Sequence, residues 1–366
     1  MNIFYDHQIF SQQEYGGISR YFCELIKEVD LTADNKAYLS LLLSNNAYLR
    51  ESELKVSPFF SKRDFPKKEE ILYRLNQVYS LLDLRRVSYD IFHATNYNPY
   101  FIPHLKGKPF VVTFYDAIHE RFGGKYKELS DVAQIVKDKK KLAEQATAII
   151  AISESTKRDL IELLDVNPSK IHVVYLGNSL NIIAKNKRPD SKFPYILYVG
   201  KRDAYKNFAK FLNAISSLLK KYEMKLICAG GGAFTVEEKK FIQSLNLESF
   251  VTSEPINDIV LQDLYRSARA FVFPSLYEGF GIPVLEAMAC DCPCVLSNTS
   301  SLPEVAGDAA IYFDPSDEES IAESVERVIS DETLRNSLID KGKQRLSLFS
   351  WNHTAAQTIE IYEQCL

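Results

Sequence analysis

Short apolar runs rich in β-branched and aromatic residues recur along the chain, separated by longer segments of helical period. They are Phe110–Phe114, Ala148–Ile152, Ile171–Tyr175, Tyr195–Val199, Lys225–Ala229 and Ala270–Phe273. A strand that is apolar at every position must be covered on both faces, and helices lying between consecutive strands supply that cover. The pattern predicts an α/β fold of doubly wound parallel sheets. At 366 residues the chain exceeds the size at which one core keeps growing, so two domains are expected. The polar stretch Ala184–Lys192 separates the first three runs from the last three and reads as an interdomain linker. The expected domains are 1–184 and 185–350, followed by a helix from Trp351 to about Gln364 with Ser350 as its N-cap.

Composition narrows the function classes. Apolar residues make up 46% and charged residues 25%, as in soluble globular proteins. No apolar run reaches the ~18 residues that span a bilayer, and Asp6 interrupts the start as a signal peptide, so a cytosolic protein is expected. The six cysteines are scattered, which argues against a disulfide framework. Cys290, Cys292 and Cys294 lack the usual two-residue spacing and a second ligand cluster, and read as small buried hydrophobes rather than a zinc site. Through Lys185 there are 25 Lys and Arg against 23 Asp and Glu, and after it 19 against 25. Overall acidity without a nucleic-acid motif disfavours DNA or RNA. Basic clusters at Lys62–Arg63, Lys67–Lys68, Arg85–Arg86 and Lys137–Lys141 read either as solvated helix faces or as attractors of anionic lipid headgroups.

The stretch Ala270–Glu286 carries the chemistry. The apolar run ends at Pro274, two glycines lie in a loop after Glu278, and Pro283 opens a helix that places Glu286 in its first or second turn. Glycines let backbone amides approach a ligand closely, and the positive helix end suits an anionic, hydroxyl-rich one. This string, two glutamates flanking Gly-Phe-Gly-Ile-Pro-Val-Leu, resembles the signature of the GT4 family of retaining glycosyltransferases. Tyr198–Asn207 is similar to that family's strand-turn segment, and Leu302–Gly307 to its downstream helix. The resemblance covers most of the second half of the chain in order, and the first half more loosely. It implies a GT-B fold: two Rossmann-like domains facing across a cleft, with the last helix crossing back onto the first.

Breaking a bond between a sugar and a diphosphate develops negative charge on the phosphate and an oxocarbenium-like centre on the sugar, so cations and amides are needed at the first and acidic or hydroxyl contacts at the second. Arg202 and Lys206, four residues apart just after a strand, suit the diphosphate. By the resemblance Glu286 holds the ribose hydroxyls and Glu278 lies near the donor sugar, while the backbone of Gly279, Phe280 and Gly281 holds sugar hydroxyls and a phosphate oxygen. Gly16 and Gly17 follow the first strand and open a helix whose amides suit the same diphosphate. Many relatives carry a histidine where this chain has Tyr115, which leaves Asp116 and His119 as its stand-ins. His119 reads equally as an ordinary helix-face histidine. His93 ends a strand-like run and is a further candidate, for the acceptor side.

No Asp-x-Asp is present, so no metal and no cofactor beyond the nucleotide-sugar co-substrate are expected. The implied reaction moves a hexose, mannose first, from a nucleotide-diphosphate sugar to a glycan or lipid-linked acceptor in surface polysaccharide synthesis, with peripheral contact to an anionic membrane. The departing phosphate would help deprotonate the acceptor on the same face of the sugar. Sugar-nucleotide 2-epimerases share the architecture but generally lack this string. A glycoside hydrolase using Glu278 and Glu286 and a non-catalytic sugar-nucleotide-binding module are the other readings. Gly230–Gly232 follows a strand, but Gly-x-Gly-x-x-Gly is absent, which disfavours a nicotinamide oxidoreductase.

Overall fold

A computed structural model describes residues 1–51, 54, 56–126, 129, 131–178, 180, 193–202 and 204–366. The expected linker Ala184–Lys192 lies outside the described residues. The chain divides into two compact units, Met1–Gly177 with Ser350–Leu366, and Asn178–Phe349.

Each unit is built on a six-stranded sheet whose strand pairs are all parallel. The first comprises β1 (Asn2–Tyr5), β2 (Lys36–Leu39), β3 (Ile91–Ala94), β4 (Phe110–Phe114), β5 (Ala148–Ala151) and β6 (Ile171–Val173), in the order β2-β1-β3-β4-β5-β6. The second comprises β7 (Tyr195–Val199), β8 (Lys225–Ala229), β9 (Val251–Glu254), β10 (Ala270–Phe273), β11 (Cys294–Ser297) and β12 (Ala310–Phe313). Its order, β12-β11-β10-β7-β8-β9, read from the other edge, is the Rossmann sequence 3-2-1-4-5-6. The α/β expectation holds, and all six apolar runs are strands. Two of them stop early, at Ala151 and Val173. After the first, Ser153 caps the helix Glu154–Leu164 by accepting from the Thr156 amide.

Helices cover both faces. Phe92, Val112, Phe114 and Ile149 centre the core of the first unit, and Ile196, Phe211, Leu226 and Val272 that of the second. Each such side chain, withdrawn from water, contributes about 1.5–3 kcal/mol. Helix Trp351–Gln364 starts at Ser350, whose hydroxyl accepts from the His353 amide at 3.2 Å. It packs on the first unit, where Tyr362 hydrogen-bonds Tyr5 and His93.

In open parallel sheets the strand order reverses at one point, and loops leaving the strand ends there diverge to open a crevice. For the second sheet that point lies between β7 and β10. For the first it lies between β1 and β3.

Candidate functional site

At the switch point of the second sheet, the loop after β7 and the loop after β10 are joined by backbone and side chain. The Leu276 amide donates to the Tyr205 carbonyl at 2.8 Å. Lys206 Nζ lies 2.6 Å from Glu278 Oε1 in a pair only 19% and 12% exposed, with the ammonium 5.5 Å from the centroid of the Phe273 ring. These two residues lie seventy-odd positions apart in sequence, and the two diverging loops bring them together.

The loop carrying Glu278 is latched by hydroxyls from the segment after β11. Ser300 Oγ accepts from the Glu278 amide, and Ser301 Oγ donates to the carbonyls of Glu278 and Phe280, each at 2.9 Å. Gly281 then turns the chain into helix Ile282–Ala289 at φ 100°, a conformation that favours glycine. A Cβ there would also meet Leu302 Cδ2 at 2.9 Å. Pro283 fits the first turn, where its missing N–H leaves no gap. Glu286 follows on the second turn, 7% exposed. Tyr265 donates its hydroxyl to Glu286 Oε2 at 3.3 Å, and burial together with the Glu286 charge pushes the Tyr265 pKa well above the ordinary phenol range. Ser275 Oγ, at the end of β10, is buried without a hydrogen-bond partner.

Arg202 is engaged elsewhere. Its Nε donates to Glu238 Oε1 at 2.7 Å, Nη1 to the Gly230 carbonyl, and Nη2 to the carbonyls of Gly231, Gly232 and Ala233. Gly231, at φ 69°, leaves no room for a Cβ, which would fall 2.6 Å from the Gly200 carbonyl oxygen. The guanidinium therefore ties the loop after β7 to the loop after β8, and the two cations read together from sequence serve different partners.

In the first unit the switch point holds a cavity of about 470 Å³, to whose wall Gln8 after β1, Asn96 and Asn98 after β3, and Asp116 and His119 after β4 contribute. Asp116 Oδ1 accepts from the Ile118 amide at 3.1 Å and so starts the short helix that carries His119. His119 Nδ1 is buried without a hydrogen-bond partner. Burial, then the Lys139 ammonium, lowers the His119 pKa below its ordinary value, so the ring is neutral at neutral pH. Tyr115 is buried and fixed in the wall by its hydroxyl on the Thr95 carbonyl and its amide on the Tyr97 hydroxyl.

Two expectations are corrected here. Lys139 does not share the solvated face of Lys137, Lys140 and Lys141. It is fully buried, donating to the Asp116 carbonyl at 2.9 Å and to Glu120 Oε2 at 3.1 Å. Ile135 and Leu142, four before and three after it on the same helix face, are the sequence signal that places it inward. His93 does not line the cavity. Its ring is fully buried between Thr113, at 2.8 Å, and Tyr362, and the residues of that segment which do reach the cavity are Asn96, Tyr97 and Asn98. Gly17 opens helix Gly17–Asp30, but a short helix, Gln8–Gln12, intervenes after β1. The Gln13 side chain accepts from the Ser19 amide at 3.2 Å and so occupies one of the donors at that helix start.

Among the described residues, no group of three His, Cys, Asp or Glu side chains is arranged to hold a metal ion. No helix there is long and apolar enough to cross a membrane. The cysteines are free, and Cys228, Cys290, Cys292 and Cys294 are buried.

Two family models cover the chain in succession: glycosyltransferase family 4 over residues 15–181 and glycosyl transferases group 1 over residues 181–345. The chain belongs to the GT4 glycosyltransferases. O-antigen chain mannosyltransferase B of Escherichia coli is 28% identical to this glycosyltransferase over 93% of its length and 88% of the relative's. Among solved structures, sucrose-phosphate synthase from Thermosynechococcus elongatus matches 100% of the glycosyltransferase and 98% of its own chain with a TM-score of 0.78 at 18% identity. Anabaena Alr3699/HepE in complex with UDP-glucose matches over 100% of both chains with a TM-score of 0.76 at 16% identity. These likenesses establish the GT-B fold of the glycosyltransferase.

Proposed function

We propose that this glycosyltransferase moves a hexose, mannose first, from a nucleotide-diphosphate sugar to a glycan or lipid-linked saccharide with retention of configuration. The observation that carries the reading is the Lys206–Glu278 pair, held at the switch point of a Rossmann-ordered sheet beside the start of the helix that bears Glu286. Lys206 supplies the point charge for the diphosphate and Glu278 fixes its position, while the amides around Gly279–Gly281 and the helix start add dipoles of the same sign. Glu286, deeper in the second unit, accepts from the ribose hydroxyls. Arg202 holds the loops that frame the crevice.

Asp116 and neutral His119 in the first unit face the sugar and the acceptor. The departing phosphate takes the acceptor proton on the face that the sugar leaves, so the new bond forms where the old one broke. Mannose as the transferred sugar is supported by the mannosyltransferase relative, and the bound UDP-glucose of HepE keeps uridine donors in view. A lipid-linked acceptor brings the enzyme to an anionic membrane face, and contact with that face belongs to the proposal. An epimerase is not favoured, because the relatives are transferases.

The test is a transfer assay with GDP-mannose and UDP-glucose against saccharide acceptors, read by mass spectrometry, with the product anomer assigned by NMR. Acceptor lengthened by one hexose with the donor's configuration is expected. Donor epimerised without transfer, or a product of inverted configuration, contradicts the reading.

A further inference from the structure

Helix Leu302–Ala306 in the second unit is a short strut held at both ends. At its start Ser301 supplies the hydroxyl that holds the carbonyls of Glu278 and Phe280, and fully buried Leu302 lies against Gly281. At its far end the last carbonyls cannot be satisfied inside so short a helix. Arg345 takes two of them: Nε donates to the Val305 carbonyl at 2.9 Å and Nη2 to that of Glu304. Gly307 makes room for this, since a Cβ there would lie 3.3 Å from Arg345 Nε. A planar cation at the negative end of a helix satisfies the terminal carbonyls and the dipole together.

The same guanidinium reaches the loop by a second route. Its Cζ lies 5.4 Å from the centroid of the Phe349 ring, and Phe349 meets Phe280 edge to face, with centroids 5.9 Å apart and planes at 77°. Both rings are buried. Arg345 stands in the last turn of helix Glu332–Leu346, and that helix also lies against the one that bears Glu286: a Cβ on Gly342 would fall 3.2 Å from Met288 Cγ. One helix, remote from the motif in sequence, therefore backs both the loop and the helix that follows it.

We propose that Arg345 is a positioning residue for the donor site, fixing the backbone of Glu278–Gly281 through Ser301 on one side and Phe349 on the other. It acts through these partners and not on the ligand. A lysine would replace it only in part, because an ammonium has no planar fork to hold two carbonyls while lying over a ring. The proposal rests on the reading of that loop as the nucleotide-sugar site.

The experiment is calorimetric titration of GDP-mannose and UDP-glucose into the full chain, comparing wild type with Arg345→Met, Arg345→Lys and Phe349→Leu, and with Lys206→Ala as the control on the site. For the donor that wild type binds, Arg345→Met is expected to raise the dissociation constant about fivefold to tenfold at unchanged stoichiometry, and Phe349→Leu about threefold. Arg345→Lys should recover part of the loss. A role in folding alone would lower the fraction of chain that binds and leave the dissociation constant of that fraction as in wild type, and this result overturns the proposal. Should Arg345→Met fail to fold, wild-type affinity in both Arg345→Lys and Phe349→Leu overturns it as well. Affinity kept in Arg345→Met but lost in Lys206→Ala overturns the proposal alone. Affinity kept in Lys206→Ala too overturns the reading of the site, and the proposal with it.

Discussion

The two units present their candidate sites by different means. In the second, backbone sets the site: a left-handed glycine, a proline-opened helix and three hydroxyl bonds from neighbouring serines hold one short loop in position. In the first, side chains from separated segments converge on a cavity, and a buried lysine lies between the two carboxylates of one of those segments. All six histidines also fall in the first unit, and none in the second. The second site adds one largely buried charge pair, Lys206–Glu278, to its backbone frame, whereas the first rests on a fully buried lysine and its unit carries every histidine. The fold of the first unit should therefore respond more to pH and to the loss of a single buried side chain.

The largest expected effect follows from removing that lysine. Lys139→Met leaves Glu120 and Asp116 without their buried cation, and the first unit should lose about 3–5 kcal/mol, as breaking a buried pair from one side does. Hydrogen exchange resolved by unit is the measurement, and the second unit should keep its protection. Equal loss in both units would erase the contrast.

Acidification should reproduce the asymmetry without mutation. Burial pushes the His7 and His93 pKa values down to about 3, whereas unfolded histidine titrates near ~6.5. With the folded pKa depressed, the unfolded chain binds more protons between these values, so the stabilisation is complete above ~6.5 and is lost as the pH falls toward 3. The two histidines contribute a slope of at most about 2.7 kcal/mol per pH unit, partly offset by Asp6, whose pKa burial raises above the ordinary carboxyl value. Urea midpoints of the first unit should therefore fall more steeply than those of the second across pH 6.5 to 4. Parallel curves would contradict the burial argument.

A smaller effect sharpens the other side. Gly281→Ala places a Cβ at a positive φ and against Leu302, at a cost of about 1–2 kcal/mol. Because the strain sits in the latch, nucleotide affinity should fall while the first unit's exchange rates stay fixed.

Much of this contrast was legible in the sequence, and its limits have physical reasons. A backbone-built site is contiguous, so Pro274, Gly279, Gly281, Pro283 and Glu286 announce the turn and the helix from spacing alone. Six strands, β4 to β8 and β10, announced themselves as apolar runs. Strands β2, β9, β11 and β12 did not, and of these Lys36–Leu39 and Val251–Glu254, both at sheet edges, are buried less and include polar residues. Lys139 looked like one of a solvated cluster until its helix phase was fixed, and His93 looked ligand-facing because a strand end is where ligands sit, yet helix Trp351–Gln364 packs there instead. Glu238 gave no signal as a partner of Arg202, since its place in the capping box of helix Val236–Ser244 already accounts for a glutamate at that position. Contacts between distant segments are a property of topology, and topology is what a motif does not carry.

The account's central claim is that the loops at the switch point of the second sheet hold the nucleotide sugar. Calorimetric titration of GDP-mannose and UDP-glucose into wild type, Lys206→Ala and Glu286→Ala tests it directly. The account predicts that one donor binds wild type and that each substitution weakens it about tenfold to a hundredfold, the loss of one charge-assisted or buried hydrogen-bonding partner. Donor affinity unchanged in both variants would contradict it.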